Sequence, residues 1–356
     1  MNLSGSTLEI AIVGVGRFGA LHCRTWTEAG AELVGISDPS SDRLTEVGEA
    51  FGVPVRTKGL SELLDAVHPD AVVIASDEDT HAELALAALQ AGCHVFVEKP
   101  LAQSSAEAWA IHRRAQEAGR EVVVGNISRF ATPYARMCST LRRGDLGELY
   151  TLRLRRDFSY AWYQDFGDRV HPVWESMIHD IDLAISFAAA PVASVVAFRS
   201  EAAGKDADAV ISALLRFQTG VTATVESSWL LPASTPGTLD GLLDLGGAIL
   251  ASAELLGAEG VIRQQLGIGG LVEWSGAGAR HPDLVLWPEE NGRVGGALRS
   301  EVEHAIGQFL GRGEPAVIPL DQACWGIEVA EALVASLDAG GNPVAISRPE
   351  ADAGSA

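Results

Sequence analysis

Only four cysteines occur in 356 residues, and Cys23, Cys93, Cys138 and Cys324 stand too far apart to make a metal-spaced pair. No disulfide framework is expected, and a reducing compartment suits the chain. Basic residues are scarce as well: 26 Lys and Arg against 47 Asp and Glu leave a formal net charge of −21. A field of that sign repels nucleic-acid phosphates and anionic membrane surfaces, so neither is an expected partner. Long apolar runs are missing. The longest apolar-rich helical candidate, residues 84–91, falls far short of the about 20 residues needed to span a bilayer. The opening Met1-Asn2-Leu3-Ser4-Gly5-Ser6-Thr7 has no basic segment leading into an apolar one, so no signal peptide is expected and the reading is cytoplasmic. His171, His281 and His304 lack ligand-like spacing, and no metal is expected.

What is present is ordinary globular composition, 47% hydrophobic and 21% charged. At this length two domains are the natural division. Runs rich in Val and Ile at residues 8–13, 32–37, 71–75, 94–97 and 121–124 alternate with helical patterns at 17–29, 40–51, 80–91 and 104–118. Gly30, Gly52, Gly92 and Gly119 sit just past those helices, where a left-handed stop is favoured. The alternation predicts parallel βαβ units in a doubly wound α/β sheet over residues 1–125. After Asn126 the rhythm changes. Residues 126–356 read as an α+β domain with a large, mostly antiparallel open sheet. The helices are expected at 133–143, 172–189, 297–310 and 321–339, and strands at 149–156, 194–199, 209–217 and 221–229. Gln218-Thr219-Gly220 reads as a hairpin turn, residues 158–171 as an irregular aromatic stretch, and the glycine patches at 267–270 and 276–278 as loops.

Gly14-Val15-Gly16-Arg17-Phe18-Gly19 follows a strand and opens a helix, the setting in which a Gly-x-Gly-x-x-Gly turn binds a dinucleotide. Gly14 allows the tight turn, Gly16 lets the backbone approach a pyrophosphate, and Gly19 permits close packing of helix on strand. Arg17 and Phe18 complete the turn, and the helix N-terminus offers free N–H groups to phosphates. Asp38 ends the second strand 19 residues past Gly19. Its carboxylate suits the adenosine ribose hydroxyls and repels a 2′-phosphate, so NAD is expected over NADP, with Ser40 and Arg43 close enough to soften that preference.

Further motifs follow in order: Thr80-His81-Ala82-Glu83-Leu84-Ala85, Glu98-Lys99-Pro100-Leu101-Ala102, Val124-Gly125-Asn126 with Arg129-Phe130, Gly144-Asp145-Leu146-Gly147-Glu148, and His179-Asp180-Ile181-Asp182. With the glycine turn, they make the chain resemble the Gfo/Idh/MocA oxidoreductases, the glucose–fructose oxidoreductase and inositol dehydrogenase family, over nearly its whole length. The resemblance implies an NAD(P)-binding Rossmann domain and a C-terminal α/β domain whose open sheet often forms the oligomer interface. It also implies a homodimer or homotetramer, and substrates among sugars, polyols and their derivatives. On it, Ser76, His81, Glu98 and Lys99 join the cofactor-binding candidates. Two departures stand out. Ser76-Asp77-Glu78 occupies the place where members commonly have Thr-Pro-Asn, and Glu175 stands where many carry aspartate. The extra methylene moves the carboxylate by about 1.5 Å, one carbon–carbon bond, which is large for catalytic geometry.

Hydride transfer from a carbinol carbon needs a base for the hydroxyl proton and a donor for the alkoxide-like oxygen. Glu175, His179 and Asp182 are spaced to share one helical face, while Trp174, Met177, Ile178, Ile181 and Ile185 read as core. The family pattern makes His179 the proton acceptor and has Lys99 bond the reacting oxygen and the nicotinamide ribose. Glu175 then orients His179 or binds a neighbouring substrate hydroxyl; Asp180 and Asp182 read as structural. Tyr160 and Trp162 either stack on a sugar ring or anchor their loop. Arg129, Arg156 and Arg169, with Arg153 and Arg155, either bind a substrate carboxylate or phosphate or pair with acids. The expected activity is an NAD-dependent dehydrogenase acting on a secondary alcohol or ketone of a small polyhydroxylated substrate. Three alternatives stay open: a redox-neutral, NAD-recycling glycosidase or lyase, an imine or keto-acid reductase, and a non-catalytic dinucleotide sensor.

Overall fold

Short apolar runs buried on both faces belong in the middle of a parallel sheet covered by helices, and the first third of the chain is built from them. The computed structural model describes residues 7–167, 169–232, 242–243, 248–266, 271–276 and 278–347. Its first part runs β1 (Glu9–Val13), α1 (Arg17–Glu28), β2 (Glu32–Ser37), α2 (Ser41–Ala50), β3 (Val55–Thr57), α3 (Leu60–Val67), β4 (Ala71–Ile74), α4 (His81–Gln90), β5 (His94–Glu98), α5 (Ser105–Ala118) and β6 (Val122–Gly125). The strands lie in the order β3-β2-β1-β4-β5-β6, every pairing parallel. That is a Rossmann sheet, whose strand order reverses between β1 and β4 and opens a crevice at their carboxyl ends. All four residues of β4 are buried, as are those of β6. The hydroxyl of Ser104 accepts from the Glu107 amide at 3.3 Å and donates to the Glu107 carboxylate at 2.9 Å, fixing the start of α5. Gly30, Gly52, Gly92 and Gly119 all have positive φ, as their helix-stop positions require.

The second part runs α6 (Thr132–Arg142), β7 (Leu149–Ser159), α7 (Tyr160–Phe166), α8 (Ile178–Ala188), β8 (Val192–Arg199), β9 (Val210–Phe217), β10 (Thr222–Leu231), β11 (Ile249–Gly257) and β12 (Val261–Leu266). Two short hairpins follow, β13 (Glu273–Ser275) with β14 (Gly278–Arg280) and β15 (Glu289–Glu290) with β16 (Arg293–Val294). The chain closes with α9 (Gly296–Phe309), α10 (Leu320–Asp338) and β17 (Val344–Ala345). Seven strands form one sheet in the order β12-β11-β7-β10-β9-β8-β17. It is antiparallel except where β10 lies parallel to β7. Alternation sets its inner face: Ile249, Ala251, Ala253 and Leu255 of β11 are buried beside Ile211, Ala213, Leu215 and Phe217 of β9. Helix α8 covers this sheet over β7 and β10, and α10 covers it over β8. The other face carries Phe198, 58% exposed, and Leu214, 49% exposed. Helices α9 and α10 also reach back to the Rossmann part: Trp26 stacks on Phe309, and Trp109 Nε1 donates to Glu328 at 2.7 Å.

Four local expectations are corrected. β3 and α3 lie in a stretch with no assigned element, because a three-residue edge strand shows too little periodicity to be seen. β7 continues to Ser159, and the aromatic stretch after it is partly helical, as α7. The helix expected from residue 172 opens with a π-helical turn, Val173–Met177, before α8. The glycine patch at 267–270 lies outside the described residues. Among those described, no helix is long and apolar enough to cross a membrane, and no cluster of three or more His, Cys, Asp or Glu is placed to hold a metal ion.

Candidate active site

A cleft of about 870 Å³ opens at the carboxyl ends of β1, β4 and β5, and the second part of the chain walls its other side. The glycine turn forms its floor. Gly14 has φ +83°, and a Cβ there would lie 2.5 Å from the Ser76 backbone; one on Gly19 would meet the Gly14 carbonyl oxygen at 1.9 Å. Neither position admits another residue without movement. A Cβ on Gly16 would meet nothing within 4 Å, so the chain leaves room above that residue. Gly16 caps α1 without a side-chain bond, which keeps first-turn amides available to an anion. At the rim, Asp38 Oδ2 accepts from the Val15 amide at 2.9 Å and Oδ1 from the Ser40 amide at 2.8 Å. Both oxygens keep a lone pair for ribose hydroxyls. Arg43 turns to Glu46 at 3.2 Å. The cradle and the fixed carboxylate fit a dinucleotide without a 2′-phosphate.

Next to the floor, His81 ties two strand ends together: Nδ1 lies 2.8 Å from the Pro100 carbonyl and Nε2 3.2 Å from that of Ser76. Ser76 Oγ pairs with Thr80 Oγ1 at 2.7 Å. Glu98 holds the end of β5, its Oε2 accepting the Lys99 amide at 3.2 Å and its Oε1 facing His22 Nε2 at 2.8 Å. Trp26 Nε1 donates to His22 Nδ1 at 3.3 Å, so the His22 proton sits on Nε2 and is donated to Glu98. His22, fully buried in α1, escaped the sequence reading; a histidine on the apolar face of the first Rossmann helix was its signal.

Lys99 reaches out from the end of β5. Its Nζ lies 2.6 Å from Glu175 Oε2 and donates to the Glu175 carbonyl at 3.4 Å. His179, one turn later on α8, lines the same cleft and is buried, with no partner for Nδ1 among the described residues. Burial drives its pKa well below the usual imidazole value, and the positive charges of Arg156 and Lys99 add to the shift. The ring is therefore neutral near pH 7 and able to accept a proton. Glu175 is paired with Lys99 rather than with His179, which corrects one of its two expected roles.

Two of the three candidate substrate arginines are also corrected. Arg156 is buried and grips Asp180, Nε to Oδ2 at 3.1 Å and Nη2 to Oδ1 at 3.0 Å. Arg129 is buried and grips Asp182 at 2.7 and 2.8 Å, with Nη1 donating to Gln322 Oε1 at 2.9 Å. Their donors are committed to the protein, and the reason is burial: a guanidinium out of water must be paired. Asp182 thereby leaves the stripe expected with Glu175 and His179. Arg169 does stand at the cleft, bridging to Glu78 at 3.0 and 3.1 Å across its mouth. Trp162 lines the cleft with its ring edge-on to Phe158. Tyr160 is directed elsewhere: its hydroxyl donates to Asp206 at 3.0 Å and its ring stacks on Tyr163. Trp229 and Trp287 also line the cleft, and neither was foreseen, since nothing local marks a strand or loop tryptophan as part of a site.

Comparison with known proteins identifies the family and the fold. A family model described as oxidoreductase family, NAD-binding Rossmann fold matches residues 8–126, and the GFO/IDH/MocA C-terminal domain model matches residues 134–263. The myo-inositol 2-dehydrogenase of Thermotoga maritima is 30% identical over 229 residues, covering 62% of this chain and 68% of the relative. A 4-carboxy-2-hydroxymuconate-6-semialdehyde dehydrogenase of a Sphingobium species is 32% identical over 181 residues, 49% of this chain and 58% of the relative. The scyllo-inositol 2-dehydrogenase (NAD(+)) of Bacillus subtilis is 29% identical over 53% of this chain and 56% of the relative. The chain thus matches little more than half the length of the latter two. Among solved structures, the scyllo-inositol dehydrogenase of Lactobacillus casei with bound NAD(H) and scyllo-inositol superposes with a TM-score of 0.79 at 20% identity, covering 96% of this chain and 99% of that one. The myo-inositol 2-dehydrogenase of Lactobacillus plantarum gives 0.79 at 21% identity, covering 96% and 100%. At these identities the structural likeness is one of fold.

Proposed function

The chain belongs to the GFO/IDH/MocA oxidoreductase family with its NAD-binding Rossmann fold, and from that premise we propose an NAD-dependent dehydrogenase interconverting a secondary alcohol and a ketone on a sugar, cyclitol or related polyhydroxylated compound. The observation that carries this reading is the shared cleft: Lys99 from the end of β5 and His179 from α8 open onto the space above the glycine cradle. Bound NAD supplies the hydride acceptor. The remaining work falls to the chain. His179, neutral in its buried setting, takes the hydroxyl proton. Lys99 Nζ donates to the oxygen as it gains charge, which is where a positioned donor lowers the barrier most. Glu175 holds that amine extended into the cleft, its extra methylene spanning to the strand end. Phe158, Trp162 and Trp229 give the substrate's C–H faces an aromatic wall.

With Arg129 and Arg156 internally paired, the reading favours an uncharged polyol over a carboxylate or phosphate. We place the division between the cofactor and substrate domains at residues 125 and 126. The exposed face bearing Phe198 and Leu214 is our candidate for contact with a second copy, giving a dimer or tetramer. Four free cysteines suit a cytoplasmic enzyme. The test is a screen of inositols, sugars and sugar acids with NAD, following reduced cofactor by absorbance, alongside Lys99→Met. Net reduction by at least one polyol is expected, with the variant slower by about 10²–10⁴, the range for loss of a positioned proton-handling group, and with NAD binding largely intact. An enzyme that binds NAD yet produces no reduced cofactor with any of them, or a Lys99→Met variant of normal rate, refutes the reading.

A further inference from the structure

Glu301, on α9, belongs to none of the machinery above. It is completely buried, and neither carboxylate oxygen has a hydrogen-bond partner among the described residues. Every element around it presents charge that is either negative or already spent. From β5 comes Glu98, occupied by His22 and the Lys99 amide. From α8 comes Asp182, gripped by Arg129 of the turn Ile127–Phe130. From α1 come His22, bound to Glu98, and the outer pair Arg24–Glu28 at 2.7 Å. On α9 itself, Arg299 pairs with Glu303 at 2.6 Å, and His304 packs on Phe130. An ionised carboxylate without a partner in such a place is far costlier than a neutral acid. Burial, then the charges of Glu98 and Asp182, accordingly push the Glu301 carboxyl well above its usual range.

We propose that Glu301 stands as a neutral carboxylic acid behind Glu98 and acts as a positioning residue: by carrying no charge it leaves Glu98 seated on the Lys99 amide, and its ionisation unseats the strand end that aims Lys99 into the cleft. The route is short. Glu98 touches the Lys99 backbone directly, so a second negative charge whose field reaches Glu98 is relieved by moving that peptide. Because α9 comes from the second part of the chain, the setting of Lys99 then depends on the packing of both parts and on one proton. The significance of Lys99 rests on the dehydrogenase reading, but the experiment below uses no turnover and so fails or succeeds apart from it.

The comparison is between the parent and Glu301→Gln, which mimics the neutral acid, in the full chain. In the parent the folded state holds a proton that the unfolded state releases near pH 4.5, so stability falls as pH rises from there through the raised folded value. The ratio of the two folding constants, read by urea unfolding, is expected to rise tenfold per pH unit above about 5 in favour of the glutamine variant. Infrared spectra of the parent at pH 7, with and without ¹³C-labelled glutamate, should contain a shifted band of a protonated carboxylic acid. This second reading decides the matter even if the variant folds poorly. Positioning is read from acylation: the chain has three lysines, Lys58, Lys99 and Lys205, and mass spectrometry follows Lys99 labelling against exposed Lys58. Their ratio should step several-fold as the parent crosses its Glu301 titration and stay level in Glu301→Gln. Parallel stability curves with no acid band overturn the neutral glutamate, and a labelling ratio that steps equally in both proteins overturns its hold on Lys99.

Discussion

Replacing Arg156 separates two roles that look alike in sequence. As a substrate ligand, its loss would raise KM and leave stability alone. As the partner of Asp180, both residues being buried, its removal as Arg156→Met strands a carboxylate beneath the sheet. Breaking one side of a buried ion pair costs about 3–5 kcal/mol. At a slope of about 3 kcal/mol per molar urea, that lowers the unfolding midpoint by about 1–1.7 M. Removing the stranded charge too, as Arg156→Met with Asp180→Leu, should recover most of the loss, because the pair as a whole repays little beyond its own desolvation. The same variant carries a kinetic signature. The Arg156 charge is the second cause, after burial, of the depressed His179 pKa, so the acid limb of kcat/KM for alcohol oxidation should move to higher pH. Urea unfolding by fluorescence and circular dichroism, with the pH–rate profile, makes the measurement. An Arg156→Met protein with the parent's midpoint, an unmoved acid limb and a raised KM only for acidic substrates would refute the structural assignment.

Three further outcomes are expected. The folded pKa of His179 lies below its unfolded value near 6.5, so it contributes stability above that pH which is lost as pH falls. In acid titrations His179→Gln should lose less stability below pH 6.5 than the parent, and equal slopes would contradict the buried neutral ring. Gly14→Ala forces a side chain into a left-handed residue against the Ser76 backbone; a loss of about 1–3 kcal/mol and of NAD affinity by calorimetry is expected, whereas a silent substitution would contradict the close approach. Asp38→Ser removes a carboxylate that accepts the Val15 and Ser40 amides. It should weaken NAD and narrow the gap to NADP, and an unaltered ratio of the two dissociation constants would count against Asp38 as the selector.

The Rossmann part was legible because its signals are local. A glycine forced by φ or by contact, as at Gly14, a run of apolar residues, a carboxylate just past β2: each is decided within a few neighbours. The same holds for the glycine stops after α1, α2, α4 and α5. What escaped was either too short, as with the three residues of β3, or written in partners distant along the chain. His22 becomes meaningful only beside Glu98, 76 residues away. Trp287 joins the cleft only because its loop returns to Phe18, whose ring it meets at 5.7 Å.

The misplaced arginines show why charge is the hardest feature to read from sequence. Five arginines near the motifs suggest an anion, yet Arg129 and Arg156 meet the protein's own anions, Asp182 and Asp180, within three residues of the catalytic candidate. Asp180 and Asp182 follow His179 so closely that the two buried pairs, to Arg156 of β7 and to Arg129 of the turn after β6, both hold the same turn of α8. Such pairs add little net stability, but they restrict how the turn can rotate, and rotation is what a proton acceptor tolerates least. The π-helical turn just before it lets Glu175 face Lys99 while His179 keeps its own place in the cleft. Loosening a pair without removing either partner's hydrogen-bonding group should therefore reach activity before it reaches fold. Asp182→Asn, which keeps one acceptor oxygen for Arg129, tests this: kcat is expected to fall by a larger factor than stability accounts for, with NAD affinity retained. A variant that loses stability and keeps its kcat would show that the clamp holds the fold and not the histidine.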